Sequence, residues 1–295
     1  MKYFQAVVRC QSFTKAADEC YISQSAISQQ IQALEKDLGV KLMIREGRKI
    51  SLTPEGEYFY RKSLVLVNDF DRLCAAIKSF GKGAEIEIVI GYLRHYDCAE
   101  FVKTVAAFKS KYPEISLQLF SGTHEELYDN LRIGKADILI SDLRRKPSDK
   151  YVNCFLTKNN FYAELSTNNP LSQLETVTTN DLKNTPLIII APEGQRNTEE
   201  LFFREYLGVK GEFIFAENLQ EAHLSVIADK GYFLTDFYNA PPTSSVVNYV
   251  PVTYDGKPVY RKYYAFWRAA STNKYIEDFA HILKSNISDY QEVLF

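Results

Sequence analysis

No apolar stretch in this 295-residue chain approaches the roughly 20 residues needed to cross a bilayer. The opening MKYFQAVVRCQ also lacks the apolar core, roughly 7 to 15 residues long, of a secretory leader. A cytoplasmic protein without a membrane partner is therefore expected. Cysteine is sparse. Cys10, Cys20, Cys74, Cys98 and Cys154 make an odd total of five with no CxxC pair, which argues against a disulfide framework and against a zinc site. Reduced, mostly buried thiols are expected. Nucleophile elbow, phosphate loop, GxGxxG and HExxH motifs are all missing, and the four histidines show no metal-ligand spacing. The expectation is of no enzyme, no cofactor and no metal.

What is present is ordinary globular composition, 46% hydrophobic and 24% charged, in a chain long enough for two or three domains. The net charge of −2 conceals an asymmetry. Residues 1 to 62 hold ten Lys or Arg against seven Asp or Glu, and the remainder holds 25 against 30. A modest basic excess at one end favours a polyanion partner there.

The stretch SFTKAADECYISQSAISQQIQALEKDL, Ser12 to Leu38, reads as two short helices joined by a tight turn. Ser12 caps the first, in which Ala16 and Ala17 are small enough for close helix contact. Ser23 caps the second, so that it begins at Gln24, and Gly39 ends it. Ile27, Ile31, Leu34 and Leu38 set an apolar stripe on one side. Gln24, Ser25, Ser28, Gln29 and Gln32 occupy the other. Gln amides and Ser hydroxyls are equipped to read base edges in a major groove. In KLMIREGRKISLT, Glu46 and Gly47 separate two short apolar stretches, which predicts a β-hairpin wing bearing Arg45, Arg48 and Lys49 for phosphate or minor-groove contact.

These residues resemble the LysR-type transcriptional regulators. Phe4, Val7, Ser12, Phe13, Ala16, Ala17, Gln24, Ser25, Ser28, Ile31, Leu34, Glu35, Leu38 and Gly39 match that family's DNA-binding pattern, which continues through Leu42, Arg45, Gly47, Arg48, Leu52, Thr53, Pro54, Glu55 and Gly56. Many members carry a basic residue where this chain has Gln29, and often where it has Gln32, so guanine readout from those positions should be weak here. Met43 replaces an aromatic residue usual in relatives.

From Thr53, TPEG supplies a cap, a proline at the first helical position and an acid in the first turn, predicting a long helix that runs to Gly81 and Gly83. Phe59, Leu66, Phe70, Leu73, Ile77 and Phe80 follow alternating three- and four-residue steps, with Ser63 filling one position. Such a seam predicts a dimer, with Leu66, Phe70, Leu73 and Ile77 at its centre.

Beyond Glu85, strand-like EIEIVIGY, ISLQLF, ADILIS, YVNCFL, LIII, GEFIF, GYFLT and YYAFWR alternate with helix-like segments, indicating an α/β fold with largely parallel sheets. Helices are expected near 98–111, 124–133, 198–207, 219–229 and 274–284. The resemblance implies an organisation into a winged helix-turn-helix domain (1–56), a linker helix (57–84) and a periplasmic-binding-protein-like effector domain (85–295). That domain would consist of subdomain I, about 85–163 and 266–295, and subdomain II, about 164–265, with chain crossings near Tyr162 to Ser166 and Tyr264 to Trp267.

Ligands of such sheets bind beyond the carboxyl ends of strands. The loops expected there contribute Arg94, His95, Ser121, Thr123, Ser141, Arg196, Asn197 and Thr235 as candidate effector residues, and the cations among them favour an anionic small molecule. Leu93 and Arg94 stand where family members often have small hydroxyl residues. His124 and His223 are expected to be structural.

The function expected is that of an effector-responsive regulator with double-stranded operator DNA, a small-molecule effector, a second copy as dimer or tetramer, and RNA polymerase as partners. Two alternatives follow from the same residues: a solute-sequestering protein, and a regulator responding through Cys98 or Cys154.

Overall fold

The computed structural model describes residues 1–46, 49–79, 86–94, 99–144, 146–237 and 241–292. The first third contains α1 (Lys2–Cys10), α2 (Phe13–Glu19), α3 (Gln24–Leu38), β1 (Met43–Glu46), β2 (Lys49–Leu52) and α4 (Pro54–Ser79). Then come β3 (Ile86–Leu93), α5 (Ala99–Lys111), β4 (Ile115–Gly122), α6 (His124–Arg132), β5 (Ile138–Asp142) and the long β6 (Tyr151–Ser166). The rest is β7 (Val177–Thr178), β8 (Leu187–Ile190), α7 (Arg196–Leu207), β9 (Phe213–Ala216), α8 (Leu219–Ile227), β10 (Tyr232–Phe237), β11 (Val247–Tyr254), β12 (Lys257–Pro258), β13 (Tyr260–Arg268) and α9 (Lys274–Glu292).

Two compact units result, the first made of Met1–Gly91, Lys109–Phe120 and Glu125–Ile138. Its helices start where their caps dictate. The Ser12 hydroxyl accepts from the Lys15 amide at 3.3 Å and the Ser23 hydroxyl from Ala26 at 3.1 Å. Gly39, at φ 68°, closes α3 in a left-handed conformation. Phe4, Val7, Ala16, Ile27, Ile31 and Leu42 form the core, with Ala16 and Ala17 buried where α2 meets its neighbours. β1 and β2 pair antiparallel as the expected hairpin, while its turn residue Gly47 lies outside the described residues. Leu38, read as the end of the apolar stripe, is exposed instead, as the last residue of α3 before the Gly39 cap.

Two side chains fasten this unit. Thr53 donates its hydroxyl to the Lys41 carbonyl at 2.7 Å and accepts from the Gly56 amide at 2.9 Å, tying the start of α4 to the segment between α3 and β1. Glu35, buried, accepts from the amides of Leu42 and Met43 at 2.8 and 3.2 Å and from Lys41 at 2.8 Å. Burial works to raise the Glu35 carboxyl, but these donors outweigh it and hold the group below its ordinary value.

The seam on α4 divides. Phe59 packs edge-on to Phe4 at 5.4 Å, and buried Ser63 accepts from the Gln5 amide at 3.0 Å, so both face their own domain. Leu66, Phe70, Leu73 and Ile77 are between 56% and 61% exposed. Phe80, Gly81 and Gly83 lie outside the described residues. On another side of α4, Asn68 donates to the Gly134 carbonyl at 2.6 Å. Arg72 grips Asp137 with two hydrogen bonds, at 2.6 and 3.0 Å, and reaches the Glu87 carbonyl at 2.9 Å. Asp137 also accepts from the Val89 amide, so a nearly buried carboxylate is satisfied from two directions.

The second unit comprises Tyr92–Phe108, Ser121–His124 and Leu139–Phe295. Its strands run in the order β5-β13-β6-β10-β8-β9, with β11 also pairing β6 and β7. Parallel pairing holds for β8 with β9 and with β10, but β6 is antiparallel to β10, β11 and β13, so the sheet is mixed. Sequence periodicity ended β6 at Leu156, because Thr157, Lys158, Asn159 and Asn160 interrupt its apolar run. β11 went unnoticed because Pro251 sits within it. Phe161, Ala163, Leu165, Leu187, Ile189, Tyr232 and Val250 form one core cluster, while Ile188, Ala216, Ala222 and Val226 belong to another, under α8. Fully buried Phe279 of α9 meets Phe101 and Phe108 of α5.

Two stability predictions follow. A Cβ on Gly56 would lie 1.9 Å from the Leu42 carbonyl oxygen, whereas one on Gly194 meets nothing within 4 Å. Gly56→Ala should therefore cost on the order of 2–3 kcal/mol in denaturant unfolding and Gly194→Ala almost nothing. Arg72→Ala should cost about 2–3 kcal/mol, since it leaves the Asp137 carboxylate short of its charged donor.

Candidate functional site

α3 presents Gln24, Ser25, Gln29 and Gln32 exposed and Ser28 half-buried, opposite the buried Ile27 and Ile31. The polar groups thus share the outer face of a helix anchored by its apolar side. Ser25 is held near the helix start by a 3.0 Å hydrogen bond with Ser23. Tyr21, in the turn before α3, adopts φ 55° and is 95% exposed, a position no periodicity argument singles out. Arg48 lies outside the described residues, as do the side chains of Arg45 and Lys49.

A second concentration of polar groups lies in the other unit, at the carboxyl ends of β3, β4, β5 and β8. There Leu93, Arg94, Thr123, His124, Arg144, Ile190, Glu199, Arg261 and Tyr263 line a cavity of about 50 Å³. Its walls are charged, and the charges alternate. Glu199 accepts from Arg144 Nη1 through both oxygens at 2.8 Å. Arg144 Nε donates to Asp142 Oδ2 at 3.0 Å, and Arg261 Nε donates to the same oxygen at 3.1 Å. Arg261 Nη1 donates to Asp236 at 3.0 Å, and Asp236 also accepts from the Tyr263 hydroxyl and from Asn159. The Phe202 ring lies 4.1 Å from the Arg144 guanidinium carbon.

Asp142 is the node of this chain. His124 Nδ1 lies 3.2 Å from its Oδ1 and 3.1 Å from the Ser141 hydroxyl. Burial works to raise the Asp142 carboxyl, but Arg144, Arg261 and His124 outweigh it and hold the group well below the ordinary carboxylate range. Burial and the neighbouring Asp236 push the Tyr263 phenol up against the opposing pull of Arg261, so it remains a hydrogen-bond donor.

Of the effector residues expected from sequence, Arg94 and Thr123 line the cavity and Ser141 lies behind it, fully buried. Ser121 and Asn197 are exposed and Thr235 is half-buried on β10, all three apart from the lining. Arg196 stands over the Phe215 ring at 5.1 Å rather than in the cavity. His95 and Cys98 lie outside the described residues. Cys10, Cys20, Cys74 and Cys154 are free thiols, half-buried rather than buried. Sequence reading missed Arg144, Glu199, Arg261 and Tyr263. Arg144 stands two residues beyond the end of β5, close to the expected Ser141.

The charge chain makes the cleft acid-sensitive in a definite direction. A carboxyl depressed in the folded state contributes stability fully above its unfolded value of about 3.9 and loses that contribution as pH falls through the lower folded value. Thermal unfolding between pH 2 and 7 should show stability declining below about pH 4. Asp142→Asn should remove that part of the decline and cost about 3–5 kcal/mol at neutral pH, because two buried arginines lose their shared partner.

Comparison with known proteins gives a match over each part of the chain. Residues 1–57 match the family described as bacterial regulatory helix-turn-helix protein, lysR family, and residues 83–288 match the LysR substrate binding domain. The HTH-type transcriptional regulator BenM of Acinetobacter baylyi is 30% identical over 176 residues, 59% of this chain and 57% of that protein. The chain thus matches less than two thirds of that relative's length. The crystal structure of full-length BenM shares the fold at a TM-score of 0.60 with 24% identity, covering 99% of this chain and 96% of that one. Full-length CbnR complexed with its target DNA gives 0.60 at 20% identity, covering 97% and 98%. On these matches, the chain belongs to the LysR family of bacterial helix-turn-helix regulators.

Proposed function

We propose that this protein is a sequence-specific, DNA-binding transcriptional regulator whose operator affinity responds to a small molecule held in the cleft around Arg144. The observation that carries the reading is α3, a helix capped at Ser23, buried along Ile27 and Ile31, and polar on its outer face. Gln24, Ser25, Ser28, Gln29 and Gln32 are its base-reading candidates, and Arg45, Arg48 and Lys49 grip phosphates from the wing. With no arginine or lysine on the reading face, adenine-containing steps suit it better than guanines.

Four exposed apolar side chains, Leu66, Phe70, Leu73 and Ile77, at steps of four, three and four on a 26-residue helix support a second copy as partner, bringing two recognition helices to two half-sites. A tetramer through the effector domains and contact with RNA polymerase extend this reading, as does a cytoplasmic location. The organisation is then a winged DNA-binding domain (1–56), a linker helix (57–84) and an effector domain (85–295). No covalent chemistry is required of it. The alternative of a thiol sensor draws no support from Cys154, whose thiol burial pushes up, leaving little thiolate at neutral pH.

Effector and operator are coupled by linkage: whatever factor the effector changes operator affinity by, operator changes effector affinity by the same factor. Selection from genomic DNA with the purified protein should enrich a site with two half-sites. A Ser28→Ala, Gln29→Ala variant should bind it about 10- to 100-fold more weakly, the range for losing one or two base contacts. Enrichment of no sequence would overturn the reading in favour of solute sequestration. Phe70→Asp should yield monomers in sedimentation and lose the two-half-site preference; a dimer that survives it would remove α4 from the interface.

A further inference from the structure

The lining of the cleft carries more information than its sign of charge. Arg144, Asp142, Arg261, Asp236 and Glu199 form one alternating chain, with Glu199 at an end of it. The two other carboxylates are tied in several directions. Asp142 is shared by two arginines and His124, and Asp236 holds Arg261, Asn159 and Tyr263. Glu199 instead directs both its oxygens to Arg144, from the first turn of α7, and lines the cavity. Arg144 and Glu199 are 10% and 7% exposed, so the pair is held out of water.

We infer that Glu199 is a built-in surrogate for the effector, and that the effector is a small carboxylate which displaces it from Arg144. The inference rests on the cleft being the effector site, as proposed above. Charge balance carries the argument. A neutral molecule prying Arg144 from Glu199 would leave a buried cation without one of its two carboxylates, a costly state. An incoming carboxylate offers the same two oxygens to Arg144 Nη1 and leaves the count of buried charge unchanged while Glu199 swings to solvent. Size follows from the space. About 50 Å³ holds roughly two water molecules, so the guest's carboxylate must take the place of that of Glu199, and only a short apolar remainder fits against Leu93 and Ile190. The latch also taxes affinity, because the binding-competent state is only the fraction with Arg144 released.

The test uses the full-length protein with unbranched two- to five-carbon monocarboxylates, each paired with its primary amide, followed by calorimetry. At least one acid is expected to bind while its amide does not, and Glu199→Gln should bind that acid at least tenfold more tightly. Arg144→Gln should abolish binding. In a second measurement, acetate should raise the melting temperature of Glu199→Ala well beyond its effect on the native protein, and acetamide should not. Equal binding of acids and amides, unchanged or weaker binding by Glu199→Gln, equal responses to acetate and acetamide, or no acid binding to any form would each overturn the inference. DNA selection reports separately: an enriched operator alongside any of those results leaves the regulator reading standing and removes only the displaced carboxylate.

Discussion

A carboxylate taken out of water must meet donors in number, and three of them set the joints of this protein. Glu35 is enclosed by the amides that open the wing and by Lys41. Asp137 is enclosed by Arg72 of α4 and the Val89 amide. Asp142 is enclosed by two arginines and a histidine. Apolar packing holds each layer together without direction, whereas a desolvated charge is satisfied only in one arrangement. The wing angle, the seat of α4 and the walls of the cleft are therefore specified by polar contacts against apolar backgrounds.

α4 shows how the two kinds of force divide one element. Its first turns bury Phe59 and Ser63 in the helix-turn-helix core, and a later side is pinned by Asn68 and Arg72. Pinning those faces leaves Leu66, Phe70, Leu73 and Ile77 in water, an apolar cost that only a further surface can offset. The helix is thus held on two sides by its own chain and left apolar on a third.

The cleft follows a different logic. Its charges neutralise one another nearly completely, so its chemistry is not that of a bare cationic pocket. Of the cations expected from sequence, Arg196 stands over Phe215, while the guanidinium groups at the centre belong to Arg144, two residues past a strand end, and Arg261, within β13, neither of them among the expected residues. A pocket whose arginines are already satisfied selects for molecules able to replace a carboxylate, a stricter demand than attraction to positive charge.

Local chemistry was legible along the chain. Ser12, Ser23, Thr53 and Gly39 marked their helix ends because a cap is made within three or four residues, and the stripe of Ile27 and Ile31 fixed which face of α3 turns outward. Most strands and helices of the second unit could be read from periodicity for the same reason, and the continuation of β6 beyond Leu156 and the whole of β11 escaped where Asn159 and Pro251 interrupted the pattern. The cleft was hidden because its contacts join residues far apart, Arg144 to Glu199 across 55 positions and Asp142 to Arg261 across 119. Sequence alone carried the family resemblance, the capped and two-faced α3 and the apolar seam of α4, all properties of neighbouring residues. Which charges meet, and which carboxylate is left at the end of the chain facing the cavity, was decided only when the sheet brought distant loops to the ends of its strands.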